Sequence, residues 1–285
     1  MKHFFISLLT LITGLSFSQE LEKSLLWKIS GNGLKYDSYL FGTIHVSCDA
    51  SLDDSTIKAL KTTEQLFLEI DMNKPIEMEM MKYITMKNEN KISKLLNSED
   101  FNLVDEFLNK KMKMSLKFFD SYKPFMIATM LYPSILECSI QNIERELIII
   151  NKNNNNKEVF GLETIKEQME IFDQIPYEIQ AEELVKMVKS DLKKDKEEIK
   201  KMIAIYKNKD IDAMQQIMDE SENKITSENK KILIYDRNNK WIPTIIKIIN
   251  EKPTFIAVGA GHLAGNEGII KLLRRNGYRV EAVIN

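Results

Sequence analysis

Short apolar runs rich in β-branched and aromatic residues lie near both ends of the chain, and long stretches of three- and four-residue apolar spacing lie between them. The runs at 25–29, 39–44, 65–70, 158–162, 254–259 and 278–284 predict strands. Leu66-Phe67-Leu68 and Phe255-Ile256-Ala257-Val258 are apolar without interruption, the pattern of strands covered on both faces. Gly31-Asn32-Gly33 separates the first two strands and predicts a hairpin turn. Helical spacing covers 55–63, 75–88, 98–112, 124–149, 164–173, 177–207, 210–220, 227–249 and 266–276. The polar segment 151–157 reads as a solvated linker that buries nothing. Lys, Asp and Glu at helical spacing over 189–201 read as an exposed face with i,i+4 pairs. The pattern predicts an α/β fold with a central, mostly parallel sheet built from both chain ends. Helical insertions around 75–150 and 175–250 would cover that sheet or form a cap.

The first residues change the expected location. Lys2 and His3 precede an apolar stretch, 4–15, and Ser16-Phe17-Ser18 supplies small residues before Gln19. Residues 1–18 therefore read as a signal peptide, leaving one domain over 19–285 that is exported, either periplasmic or extracellular. The apolar stretch is shorter than the roughly 20 residues a membrane span needs, so no stable membrane insertion is expected after removal. Lys and Arg total 40 against 42 Asp and Glu, a formal net charge of −2, and the signs are interspersed. No basic stripe tracks a phosphate backbone, which excludes nucleic acid as an expected partner. The 2 cysteines, Cys48 and Cys138, have no C-x-x-C spacing, so neither a zinc cluster nor a redox motif is indicated. Export permits a disulfide between them, and two separate buried thiols fit the sequence equally well. The 15 methionines read as core filling.

The candidate chemistry starts from histidine use. Of 3 histidines, His3 leaves with the signal peptide, and the other two, His45 and His262, occupy matched settings. Phe41-Gly42-Thr43-Ile44-His45 and Gly259-Ala260-Gly261-His262 each follow a strand and precede a helix and another strand. Such β–GxxH–α–β units place the turn at the carboxyl end of a parallel strand, where α/β folds bind ligands. Glycine there lets the backbone turn sharply or approach a ligand without a Cβ clash. Glu69 ends the Leu66-Phe67-Leu68 run. A carboxylate in that place is exposed at the rim, salt-bridged, or bound to a cation, because burying it alone is costly. Asp71 alternates to the same strand face and could assist. Glu163 stands in the same relation to Val159-Phe160-Gly161-Leu162. Two imidazoles with one or two carboxylates suit Zn²⁺, Mn²⁺, Fe²⁺ or Co²⁺. Arg237, in Tyr235-Asp236-Arg237-Asn238-Asn239-Lys240-Trp241, could stabilise an oxyanion or clamp a substrate carboxylate; alone, it would read as a surface residue.

The order Gly-Thr-Ile-His45, Phe-Leu-Glu69-Ile-Asp, Gly-Leu-Glu163-Thr, Arg237-Asn-x-x-Trp241 and Val-Gly-Ala-Gly-His262-Leu resembles the TraB/GumN family from Leu25 to Val283. That family includes the animal TIKI proteases and is similar, more distantly, to erythromycin esterases and ChaN-like proteins. The resemblance implies a divalent-metal-dependent hydrolase, proteolytic in the TIKI branch; with the signal peptide, the expectation is an exported hydrolase of peptide, amide or ester bonds with Mn, Co or Zn as cofactor. His45, His262 and Glu69 would be the metal ligands. Glu69, Glu163 and Arg237 would be catalytic, Glu163 or a non-ligating Glu69 moving the proton while Arg237 faces the developing negative charge. The partner expected is a peptide or small-molecule substrate. The alternative on the same scaffold is a non-catalytic peptide-, haem- or metal-binding protein. Cys48, three residues beyond His45, matches no family element.

Overall fold

A computed structural model describes residues 21–72, 76–136, 138–154 and 156–284, with 76 and 77 as backbone only. The predicted signal peptide at 1–18 lies outside the described residues. Six strands form one sheet: β1 (Leu26–Ser30), β2 (Ser38–Thr43), β3 (Gln65–Leu68), β4 (Val159–Gly161), β5 (Thr254–Gly259) and β6 (Arg279–Ala282). Their order is β4-β3-β5-β2-β1-β6. The β4–β3, β3–β5 and β5–β2 pairs are parallel, and β1 runs antiparallel to both β2 and β6. The fold class is α/β, and the sheet is built from both chain ends. Gly31 and Gly33 take φ of +77° and +82° and Asn32 φ of +48° in the hairpin between β1 and β2, a left-handed run that suits glycine and asparagine.

β5 is central because both of its faces are covered. Phe255, Ile256, Ala257 and Val258 are fully buried, and Leu40, Leu66, Trp241, Ile245 and Leu273 share their core. A second apolar core is wholly helical. Ile92, Val104 and Leu108 meet Leu116, Ile127 and Leu131 there, closed by Leu184 and Val188. Among the described residues, no helix is long and apolar enough to cross a membrane.

Several predicted helices are interrupted, each for a local reason. The 124–149 segment splits into Pro124–Met130 and Ile143–Asn154. A 3-10 turn, Tyr132–Ser134, follows the first piece, and Cys138 is drawn into a disulfide with Cys48, with the Cα atoms 5.7 Å apart. Closing 90 residues of chain stabilises the fold by about 4 kcal/mol through loss of unfolded-state freedom. The 75–88 segment is helical only over Ile76–Met80. Beyond it the chain extends against 121–123, where buried Lys123 takes the Tyr83 carbonyl at 2.6 Å and Asp173 at 3.0 Å. The 177–207 segment divides into Tyr177–Lys189 and Lys193–Lys207 at Asp191 and Leu192, both left-handed, with no glycine or proline to announce the break. The 151–157 linker expectation is corrected: Ile143–Asn154 runs through its first half, Asn151 is buried, and its amide donates to the Lys157 carbonyl at 2.9 Å. Lys157 in turn caps the Leu60 carbonyl at the end of the helix Asp54–Thr62. A polar run buries residues when it closes a helix end that needs donors.

Parallel pairing fixes the direction of the functional edge. The carboxyl ends of β4, β3, β5 and β2 lie side by side, and the residues following them are Glu163, Glu69, the Gly259–His262 turn and His45. Because β5 supplies pairing to both β3 and β2, a chain ending at Phe255 should lose the sheet as a unit. Calorimetry or circular dichroism should show no cooperative melting of a 19–255 fragment; a soluble fragment with a sharp transition would contradict this topology.

Candidate active site

Two glycines allow this edge to close. A Cβ on Gly42 would lie 2.8 Å from Leu263 Cδ1 and 3.1 Å from the Ala260 Cβ, so the absence of a side chain lets the His262 turn pack directly on β2. A Cβ on Gly259 would lie 3.2 Å from Glu69 Oε1, 3.7 Å from His262 Cδ2 and 3.7 Å from His45 Nε2. That one point shows the two imidazoles and the carboxylate converging on a small space that glycine keeps clear. Gly259 has φ of −51°, so space rather than backbone reach is the reason for glycine there.

Arg237 organises the opposite wall. It stands in the first turn of the helix Asp236–Glu251, directly after a wide π-helical turn, Lys231–Tyr235. Such turns are frequent at functional sites, and Arg237 Nη1 donates to the Leu233 carbonyl at 3.0 Å. Nη2 donates at 2.6 Å to both Glu69 Oε2 and Glu163 Oε1, and Nε reaches Glu163 Oε2 at 3.3 Å. The guanidinium lies 4.6 Å from the Trp241 ring centre, one helical turn along. Arg237, Glu69 and Glu163 side chains are only 12 %, 9 % and 2 % exposed, which makes this a buried ion cluster rather than a rim salt bridge. The arginine reads as surface-exposed from sequence alone, and its burial follows from the two carboxylates that the strands deliver to it.

Environment separates the like groups. Burial works against ionisation of Glu69. Arg237, the two imidazoles and the Gly259 N–H at 2.7 Å outweigh it, holding the carboxyl well below the usual range. For Glu163 burial wins over Arg237 and its pKa is raised. His262 is buried, and burial together with Arg237 pushes its pKa down to about 3, so the ring is neutral. Its tautomer follows from Asn238, whose amide donates to the His262 carbonyl at 3.1 Å and the Glu267 carbonyl at 2.7 Å. The Asn238 oxygen must therefore accept from His262 Nδ1–H at 2.7 Å, which leaves a lone pair on Nε2. Arg237 Nη1 sits on that lone pair at 3.0 Å. His45 differs. Its side chain is 61 % exposed, and Nδ1 lies 3.1 Å from buried Glu144. Desolvation pulls the His45 pKa down, and the Glu144 carboxylate outweighs it and raises the value.

Five of the residues singled out from sequence, His45, Glu69, Glu163, Arg237 and His262, meet at this edge. Sequence reading missed Glu144, Gln168 and Asn238. Gln168 donates to Glu69 Oε2 and Glu163 Oε1, both at 3.2 Å, and Thr43 donates to Glu144 Oε1 at 2.6 Å. Asn238 adjoins Arg237 and was within reach of the motif; Glu144 and Gln168 lie on amphipathic helices with no local mark. Among the described residues, no three His, Cys, Asp or Glu side chains already stand at metal-holding geometry.

A profile of the TraB/PrgY/gumN family matches residues 25–282. Among curated proteins, Metalloprotease TIKI2 of Danio rerio is 23% identical over 327 aligned positions, 93% of this chain and 62% of that protein. Metalloprotease TIKI2 of Xenopus tropicalis is 46% identical over 52 residues, 17% of this chain and 10% of that protein. The Metalloprotease TIKI homolog of Nematostella vectensis is 43% identical over 54 residues, 18% of this chain and 12% of that protein. The chain thus spans less than two thirds of the length of these relatives. No solved structure matches.

Arg237→Ala would leave two buried carboxylates facing each other. It should cost about 3–5 kcal/mol of stability at neutral pH, because one partner of a buried ion cluster is gone. The sign with pH follows from Glu69, whose folded pKa lies below its ordinary 4.5: its contribution is present above that value and lost as pH falls. The gap between wild type and variant in denaturant melts should therefore narrow on acidification below about pH 5. A gap independent of pH would contradict the ionised cluster.

Proposed function

Because the chain belongs to the TraB/PrgY/gumN family, we propose that it is an exported, metal-dependent hydrolase of peptide, amide or ester bonds. The observation that carries this reading is the convergence of His45 Nε2, Glu69 Oε1 and the His262 ring around the space beside Gly259. The residues suit a divalent cation, Mn²⁺, Co²⁺ or Zn²⁺. Each imidazole has its Nδ1 turned to an outer oxygen, of Glu144 or of Asn238, the arrangement that orients Nε2 lone pairs towards a metal. His45 and Glu69 would hold the ion, and His262 would join when Arg237 Nη1 releases its Nε2. A bound cation supplies Lewis acidity that polarises a carbonyl and acidifies water.

The remaining roles belong to the chain's own groups. Glu163, whose carboxyl burial pushes toward the protonated form, would take up and return the proton. All five Arg237 N–H groups are engaged, so Arg237 would meet negative charge on a substrate oxygen only after releasing a partner, the His262 ring being the neutral side chain among them. Asn238 fixes the His262 tautomer, and Trp241 shields the guanidinium from water on one face. The predicted signal peptide supports a periplasmic or extracellular site of action. The named TIKI metalloproteases support peptides as the first substrates to try.

A second reading, retention of a peptide, haem or metal without turnover, is favoured by the Arg237–His262 contact, which closes the site. Product analysis by mass spectrometry separates the two: a binder retains ligand stoichiometrically and releases no product. For the hydrolase, protein purified without an affinity tag and exposed to Mn²⁺, Co²⁺ or Zn²⁺ should carry about one ion per chain, against under ~0.1 for a site that holds none. His45→Ala and His262→Ala should each lower cleavage of a peptide found in a library screen by about 100-fold or more while melting cooperatively. Two fully active variants would end the assignment.

A further inference from the structure

We propose that Glu144 is a positioning residue for His45, locked in register by the Cys48–Cys138 disulfide. The inference rests on the reading of this edge as a metal-dependent hydrolytic site. Glu144 occupies the first turn of the helix Ile143–Asn154 and is buried. Its Oε1 serves two neighbours, Thr43 Oγ1 at 2.6 Å and His45 Nδ1 at 3.1 Å, and its Oε2 is buried without a partner. A buried carboxylate with an unpartnered oxygen destabilises a fold, and an apolar side chain would fill the place better. Packing therefore does not explain Glu144. Its contacts do, because among the described residues it is the group that engages the His45 ring.

That ring needs holding. His262 is enclosed by Trp241, Asn238 and Arg237, whereas the His45 side chain is 61 % exposed and would otherwise turn among rotamers. Pinning Nδ1 leaves Nε2 as the atom beside Gly259 and Glu69. A carboxylate partner also increases the donor strength of the opposite ring nitrogen more than the neutral amide on His262 does. The two histidines of the matched turns thus become a strongly and a weakly donating ligand.

The covalent frame is built around this pair. Cys48 follows His45 by three residues, and Cys138 precedes Glu144 by six. Between these points Ser47 bridges Gln141, with Gln141 N–H donating to Ser47 O at 2.8 Å and Ala50 N–H donating to Gln141 Oε1 at 3.1 Å. The loop carrying the imidazole and the loop leading to the carboxylate are therefore stapled together. Cys48 is exposed, so a reductant in solution can reach the staple.

The test uses the full chain and two readouts, Mn²⁺ titration calorimetry and the mobility of the histidine rings by carbon–proton NMR relaxation without metal. Glu144→Gln keeps the shape and removes the charge. It should weaken Mn²⁺ binding by about 10–100-fold and mobilise the His45 ring, leaving the His262 ring rigid and the melting temperature no lower. Cys48→Ser with Cys138→Ser should move both readouts the same way by less, with a lower melting temperature. Should Glu144→Gln fail to fold, Thr43→Val, which removes the other anchor of Oε1, is read by the same criteria. Wild-type Mn²⁺ affinity and an unchanged His45 ring in the glutamine variant would overturn the proposal, as would a melting loss with both rings loosened. If the wild-type chain takes up no Mn²⁺, the metal reading fails separately, and His45 ring mobility alone decides for or against Glu144.

Discussion

Two carboxylates on neighbouring parallel strands share one guanidinium, and the functional edge is arranged around that contact. Glu69 and Glu163 leave the ends of β3 and β4 already buried, where an isolated charge would be prohibitively expensive. Arg237 compensates both from 2.6 Å while its Nη1 donates to the Leu233 carbonyl in the π-helical turn. A lysine, a compact ammonium without the planar fork, could not address two carboxylates, a carbonyl and an imidazole together. Around that guanidinium Glu69 is held as the anion, while burial pushes Glu163 toward its acid form and keeps His262 neutral.

Close approach of backbone makes this possible. The His262 turn lies directly on β2 because Gly42 offers no side chain to hold it away, and Gly259 leaves room beside Glu69 Oε1, His45 Nε2 and the His262 ring edge. The glycines of the two GxxH motifs therefore do different work: the first permits packing, and the second preserves a void. Tyr206 closes the underside by donating from its hydroxyl to the Gly42 carbonyl at 2.8 Å.

The matched pairs are chemically split. Glu69 is stabilised as an anion and Glu163 is pushed toward its acid form; His262 is enclosed and neutral, and His45 is exposed beside a carboxylate. Opposed environments for like groups are how one site supplies both a fixed charge and a movable proton. Nothing in the residue types predicts which member takes which part. Burial and two neighbours, Arg237 beside Glu69 and His262 and Glu144 beside His45, assign them.

Sequence by itself determined the strands, the α/β class and the five residues at the edge. Each is a local property: an apolar run sets a buried strand, and a strand end sets where the next polar side chain emerges. It also placed the two histidines in equivalent turns. Tertiary structure decided the strand order that seats β5 between β3 and β2, the disulfide between Cys48 and Cys138, and the breaks at Asp191–Leu192 and after Met80. It also decided that Arg237 is buried and that Glu144 and Asn238 govern the imidazoles. Those outcomes depend on contacts between different segments, from 24 residues apart for Asn238 and His262 to 168 for Glu69 and Arg237, whose energies have no signature in local spacing.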